Sequence, residues 1–574
     1  MKLRRGVVAG VLVGILALGG CAGLPTDGTL QPGNKVGETT PDARWQFTPP
    51  GPSEGANPAD IVYGFLDAGE STADDWEIAR EFLTDEASLA WDPDTRITID
   101  DVNSREIGDF TEGDDGDSGE TRVRVTPTAT VDEDGGFHLA AGGVRSLDFE
   151  LVLVEGEWRI SSVPDGVVVQ SGTFESIFTS QSLFFSAPGD RLVPDLRWFP
   201  DTGDLFERLV TELVDGGPSP WLEGAVSSAF DGIDLRGVTI DEDLTATVAL
   251  SEAAADVDLE IRARMQTQLE RTLLPIGVSA VRMSVVGDRL ATANDEVVST
   301  EPDPRAIVLT EDAFGYLTAG DITPIEGLSD PIAEQFAPGG VQEDPAMSIA
   351  VAPDLSHAIV QTESGTIWRV HAEDETSEVH SFESGWVEPS LDAFGYAWSA
   401  RPDEPGQLRA WGDGATDPIS IAGIDELTEI SGLEVSRDGA RIAITGRRDN
   451  QPALVVAGIR RDGEGAPIGL SGVQDVAPLP EDADEVAWVS DTVVASMIPG
   501  DGRTLIREQQ VGGTSERVTA ALVATELTYG NPQSRERLLG DDGVIYVRNT
   551  TRWQQAGSGI LVLATQTGAP PLTE

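Results

Sequence analysis

Cys21 is the only thiol in a chain of 574 residues, and it closes the run Leu18-Gly19-Gly20-Cys21. Two small residues ahead of a cysteine, directly after an apolar segment, form the pattern of a bacterial lipobox. The chemistry expected there is attachment. Sγ would take a diacylglyceryl group, and the amino group released by cleavage would be acylated, making Cys21 an S-diacylglycerol cysteine and N-acyl cysteine that carries palmitate-type chains. Two acyl chains, at about 0.8 kcal/mol per buried methylene, give stable anchoring. The preceding residues suit this reading: Lys2, Arg4 and Arg5 form a basic start, and Gly6 to Ala17 carries no charge. That run is too short to span a bilayer comfortably, so residues 1–20 are expected to be a signal peptide. The alternative is a soluble secreted protein with an incidental cysteine.

Other chemistry-bearing patterns are missing or ambiguous. The chain has no Gly-x-Ser-x-Gly nucleophile elbow and no His-Glu-x-x-His helix. Its four histidines, His138, His357, His371 and His380, are scattered. His371 and His380 flank an acid-rich stretch that is open to two readings, a metal site or a solvated loop. Asp114, Asp115, Asp117 and Glu120 invite a calcium reading, but their spacing departs from an EF-hand loop and suits a hairpin tip. Gly463-x-Gly465 opens no helix, so it is no dinucleotide fingerprint. Paired carboxylates are too common here to single out a glycosidase-like site. The expectation is a non-enzymatic protein with no catalytic residues, no cofactor and no metal. A propeller hydrolase or lactonase with a metal in its channel stands as the enzymatic alternative.

The charge balance excludes some partners. With 38 basic against 99 acidic residues, the formal net charge is −61. Phosphate backbones would be repelled, so no nucleic acid is expected. With one cysteine, no intrachain disulfide can form, and stability must come from apolar cores. The length implies about three domains.

From Ala22 to about Pro58 the chain is rich in Pro, Gly, Thr and Asp. Such a stretch reads as a tether with an r.m.s. span of roughly 35 Å. Asn57-Pro58 then signals a helix start, and Ile61, Val62, Phe65 and Leu66 follow helical spacing. A second helix is expected from about Ala73 to Ala90, burying Trp76, Ala79, Phe82, Leu83 and Leu89. Period-two runs between Arg96 and Ile160 predict antiparallel strands, giving a small α+β domain with a cone-shaped, NTF2-like form in view. In the next module, helices are expected at Asp204–Val214 and Pro220–Phe230, with a hairpin at Val238–Leu250. The clearest helix is Val257–Leu274, whose apolar row is Ile261, Met265, Leu269 and Leu273. Together these predict an α/β sandwich. From about Pro302 helical periodicity vanishes, and strand, Asp-containing turn, strand recurs about every 40 to 50 residues. Five occurrences predict a β-propeller of five or six blades, with a β-sandwich as the alternative.

With these residues in view, the chain resembles the LpqB family of actinobacterial lipoproteins over nearly its full length. The first domain is similar in Gly64-Phe65-Leu66-Asp67-Ala68, Ala79-Arg80-Glu81-Phe82-Leu83-Thr84 and Trp91-Asp92-Pro93. The middle one resembles the GerMN module in Leu192-Val193-Pro194-Asp195-Leu196-Arg197-Trp198 and Gly217-Pro218-Ser219-Pro220-Trp221-Leu222. The resemblance implies a signal peptide at 1–20, a lipidated tether at 21–56, an N-terminal α+β LpqB domain at 57–180, a GerMN domain at 181–298 and a β-propeller at 299–574. It also implies a role: an accessory of an MtrA–MtrB-like two-component system on the outer face of the cell membrane. There it would contact the extracellular domain of the MtrB-like histidine kinase and affect envelope homeostasis and division. A scaffold that binds cell-wall glycan or peptidoglycan is the alternative, with Trp368, Trp398, Trp411 or Trp488 stacking on sugar unless they serve as core.

Overall fold

The computed structural model describes residues 49–566 and 568, apart from 74, 294, 296, 416, 531–535 and 550–551. Cys21, the signal segment and most of the tether lie outside the described residues.

The N-terminal domain sets a helix, Pro58–Ala68, against two sheets. Asn57 Oδ1 caps the helix by accepting from the Asp60 N–H at 3.0 Å, and Pro58 occupies its first turn. Its buried face, Ile61, Val62, Phe65 and Leu66, meets Trp91 and Phe149 edge-on. One sheet pairs Arg96–Asp100 antiparallel with Pro127–Asp132 and parallel with Val167–Gln170, and the other centres on Ser118–Val125 and Arg145–Val154. The single helix expected over Ala73–Ala90 is instead two short ones, Glu77–Arg80 and Asp85–Ala90. The break has a cause. Ile160 exchanges backbone hydrogen bonds with Phe82 and Thr84, pulling residues 82–84 into the sheet. Leu89, expected inside, is 91% exposed as a result. The acidic tip is a self-capped turn, because Asp115 Oδ1 accepts from Asp117 N, Ser118 N and Ser118 Oγ.

The middle domain is built on a parallel crossover. Thr245–Leu250 and Ala280–Val285 run parallel, joined by the helix Leu259–Leu273 with Asp258 as its N-cap. Met265, Leu269 and Leu273 face the core as expected. The helix expected at Pro220–Phe230 is only a single 3-10 turn, Pro220–Leu222, followed by irregular chain. Pro218 and Pro220 lack N–H donors, and the segment is held by side-chain contacts to its neighbours.

Among the described residues the C-terminal domain holds four four-stranded sheets and one of eight strands, which divides into two four-stranded blades at a parallel strand pair, so the blades number six. The C-terminal strand Val562–Gln566 pairs antiparallel with Ala306–Leu309, so the first blade is assembled from both ends of the domain and closes the ring. The next blade begins at Ala346–Val351, which runs parallel to that closing strand. The remaining inner strands are Ser390–Leu391, Leu427–Val435, Glu485–Trp488 and Ala524–Tyr529. Helical structure does not vanish here as expected: Ser329–Phe336 is a helix that buries Ile332 and Phe336. Of the five recurring turns, those at Asp354, Asp392, Asp438 and Asp491 follow an inner strand, whereas the one at Asp541-Asp542-Gly543 lies one turn further along its blade. At the Asp438 turn, Gly439 adopts a φ of +74° while Asp438 Oδ1 accepts from Ser436 Oγ and Ala440 N.

Candidate functional site at the three-domain junction

One hairpin, Phe178–Ala187 with Arg191–Pro200, joins all three domains. Its ten-residue strands pair without a register shift. The side chains divide among three cores. Phe178 and Trp198 enter the N-terminal core, Leu183, Phe185 and Phe199 enter the middle one, and Ala187 and Val193 pack with Leu222 and Ala440 against the propeller. The boundary expected at 180/181 falls inside a continuous strand. Burying one rigid ribbon in three cores opposes relative motion of the domains.

Polar bonds complete the junction. Arg197 Nη2 and Nε donate to Asp195 Oδ2 at 2.8 and 3.2 Å, and both residues are at most 4% exposed. Asp195 also accepts from Ser219 N and Ser219 Oγ, each at 2.8 Å. Arg197 then reaches the carbonyls of Asp134 in the first domain and Gly217 in the second. The pair is therefore buried with its hydrogen-bonding capacity used, the condition under which a buried ion pair is tolerated. Asp195 and the other surrounding carboxylates raise the Arg197 pKa against the lowering effect of its own burial. The propeller joins through Trp198 Nε1 to Gly512 O at 2.9 Å and Gln474 Nε2 to Phe137 O at 3.4 Å. Ser471 Oγ donates to Trp221 O. On the outer side Arg208 bridges Asp94 and Asp204.

A cleft of about 250 Å³ opens where the three domains meet, lined among others by Asp132, His138, Arg197, Trp221, Gln474 and Gly512. His138 Nε2 stands 2.6 Å from Asp132 Oδ2 at this cleft. Close by, burial and repulsion from Asp134 push the Glu212 carboxyl up to about 7, and its Oε2 has no hydrogen-bond partner among the described residues.

The residues singled out by type fall elsewhere. Trp398, Trp411 and Trp488 are buried, with Trp398 Nε1 donating to Asp392 and Trp488 Nε1 to Glu434 O. Trp368 packs edge-on against Phe336. All four serve packing, and none is a free stacking platform for sugar. His371 Nε2 lies 3.6 Å from Glu378 Oε1 and 3.8 Å from Asp413 Oδ1. Arg369 Nε stands 4.0 Å from the same Glu378 oxygen. His380 is not part of this group. It lies buried between Arg369 and the Ala415 carbonyl, and burial with the Arg369 charge holds it down to about 4. The junction pair Asp195–Arg197 lay in plain view in the sequence, but its partners Ser219 and Asp134 are 24 and 63 residues away and carry no local signal.

Comparison with known proteins gives the same three parts. Residues 51–175 match the family model described as "Lipoprotein LpqB, N-terminal domain", residues 182–291 match "Sporulation and spore germination" (Germane), and residues 317–561 match "Lipoprotein LpqB beta-propeller domain". A Lipoprotein LpqB of Cutibacterium acnes is 25% identical, with 98% of each chain covered, and one of Streptomyces coelicolor is 27% identical, with 96% of each covered. That of Thermobifida fusca is 28% identical over 78% of this chain and 81% of its own. Among solved structures, the nidogen/laminin complex aligns with a TM-score of 0.35 at 7% identity, covering 46% of this chain and 99% of that one. The β-propeller domain of Cps50 (Swd1) from Myceliophteria thermophila aligns with a TM-score of 0.26 at 14% identity, covering 37% and 70%. With three domain models matched in order and relatives aligned over almost their whole length, the chain belongs to the LpqB family of lipoproteins.

Proposed function

We propose that this protein is a membrane-tethered, non-enzymatic accessory of an MtrB-like sensor histidine kinase, acting on the extracytoplasmic face. The observation that carries the reading is the junction hairpin buried in three cores, which makes the domains one rigid platform instead of beads on a string. A rigid platform loses little conformational freedom on docking, so more of the contact energy appears as affinity. The lipobox at Cys21 and the relatives' name as lipoproteins support anchoring by acyl chains. Among the described residues no helix is long and apolar enough to cross a membrane. An anchor confines the platform to the layer that holds the kinase and raises effective concentration, so a weak contact suffices. Binding one signalling state of the kinase better than the other then shifts its equilibrium.

The test is Cys21→Ala in cells, with membrane fractionation and the kinase's transcriptional output read together. Release of the protein and loss of modulation support the reading. Unchanged output from the released form contradicts the tethering part.

A further inference from the structure

The propeller axis is lined by acidic side chains at one cavity and by arginines at an adjoining one. The first, with room of about 40 Å³, is lined by Glu388, Glu434 and Glu485 together with Ser390, Ser431 and Thr565. Glu526, on the next inner strand, lies within electrostatic reach of Glu388 and Glu485. Three of these acids follow one pattern: Glu434, Glu485 and Glu526 each accept, through one oxygen, the backbone N–H of the next blade's inner strand, at Trp488, Leu527 and Leu563. That bond fixes each carboxyl beside the axis. Burial pushes the Glu388 carboxyl up to about 7, burial with repulsion from Glu388 does the same to Glu434, and burial with repulsion from neighbouring acids raises Glu485 and Glu526 well above the usual carboxylate range.

The second cavity shares Glu434 and Thr565 with the first and is lined also by Arg305, Arg437, Thr528, Arg537 and Gln566. It has room of about 20 Å³, enough for one small polar group. Arg305 is neutralised by Asp303 through bonds from Nε and Nη2 and lies over the Tyr316 ring. Arg437 and Arg537 have no carboxylate in contact: Glu434 acts on Arg437, and Asp303 on Arg537, only from farther off. Among the described residues Arg437 Nη2 donates to the carbonyls of Trp488, Tyr529 and Gly530, and Arg537 Nη2 to that of Pro304. Neither makes an ion pair among the described residues, though both are at most 8% exposed. Among the described residues the Thr528 hydroxyl, 5% exposed, has no hydrogen-bond partner, and the Gln566 amide has none in hydrogen-bond geometry, though it lies near enough to the Tyr316 hydroxyl to lower its pKa. Buried donors left unmatched beside two unpaired guanidinium groups are costly in an empty site and suit an incoming anion.

We propose that the axial channel binds a small molecule carrying both an ammonium and a carboxylate group, an α-amino acid or the end of a short peptide. The carboxylate sits against Arg437, Arg537, Thr528 and Gln566, and the ammonium sits among Glu388, Glu434 and Glu485. The two charged ends of the ligand satisfy two sets of groups that are each unfavourable alone: the guanidinium groups gain a carboxylate, and the crowded carboxyls gain a cation. The limited space restricts the ligand to small side chains. This proposal is independent of the kinase reading and stands or falls by itself.

The experiment is calorimetric titration of the chain from Ala22 to Glu574 with glycine, D-alanine and glycylglycine, and with acetate and methylammonium as half-ligands. Saturable binding of at least one zwitterion is expected, with each half-ligand weaker by about tenfold or more, the factor that one lost charge-assisted hydrogen bond of about 1.4 kcal/mol supplies. Thr528→Val, which keeps the side-chain shape, is expected to weaken the zwitterion about fivefold to tenfold with an unchanged melting temperature. Glu485→Gln is expected to weaken glycine and methylammonium while leaving acetate unchanged. Glycylglycine binding as well as glycine assigns the site to a peptide end, and its exclusion assigns it to a free amino acid. No saturable binding of any zwitterion up to about 10 mM overturns the proposal, and so does acetate binding as tightly as glycine.

Discussion

The Trp198 indole N–H donates to the carbonyl of Gly512 across 314 residues of chain, at 2.9 Å. The ring itself lies in the N-terminal core, 4.7 Å from that of Phe174, on a strand that belongs to the central hairpin. One side chain thus ties the N-terminal core to the propeller, from the hairpin that also enters the middle domain. Trp198→Phe removes the donor, leaves the Gly512 carbonyl unmatched and opens a gap beside Phe174. A loss of about 2 kcal/mol is expected in urea unfolding, together with earlier separation of the propeller transition from the rest.

Arg197→Met tests the buried pair. Asp195 would keep its two bonds from Ser219 but lose its counter-charge in a site 2% exposed. The expected cost is about 3–5 kcal/mol, because the uncompensated carboxylate, more than the lost bond, sets the penalty. Circular dichroism melts would show it as a fall in Tm.

These two residues also mark what sequence could supply. Helix Leu259–Leu273 and the Asn57-Pro58 start were legible because periodicity and caps are local signals. The break after Arg80 was not, since it is made by Ile160, and the 3-10 turn at Pro220 was not, since contacts with the propeller hold it. The number of blades stayed open for a related reason. Blade one is closed by a strand from the far end of the domain and so has no turn motif after its inner strand. The axial glutamates are scattered one per blade, at 388, 434, 485 and 526, among 99 acidic residues, and only closure of the ring brings them together.

Glu212 predicts a pH dependence. Its folded pKa of about 7 lies above the ordinary glutamate value of 4.5, so between these values the native state binds more protons than the unfolded chain. Its contribution is therefore fully present below about pH 4.5 and is lost as pH rises through 7. Glu212→Gln removes this loss. The variant is expected to match the parent near pH 4.5 and to exceed it at pH 8 by an amount on the order of 2 kcal/mol, measured by denaturant melts at both pH values.

Gly135 has a φ of +83°, and a Cβ there would stand 2.9 Å from the Trp198 carbonyl oxygen. Gly135→Ala combines strained backbone with a clash against main chain that cannot swing away. A destabilisation of about 2 kcal/mol or more is expected, with increased proteolytic nicking near residues 133–136.

The central claim is contact between this platform and the kinase. It is tested most directly by titrating the chain from Ala22 to Glu574 into the purified extracellular domain of the organism's MtrB-like kinase, by calorimetry at two salt concentrations. Saturable binding is predicted, weakening with salt if the acidic surface makes the contact. Absence of binding at high micromolar concentration, both in solution and with the two proteins held on one membrane, would contradict the account.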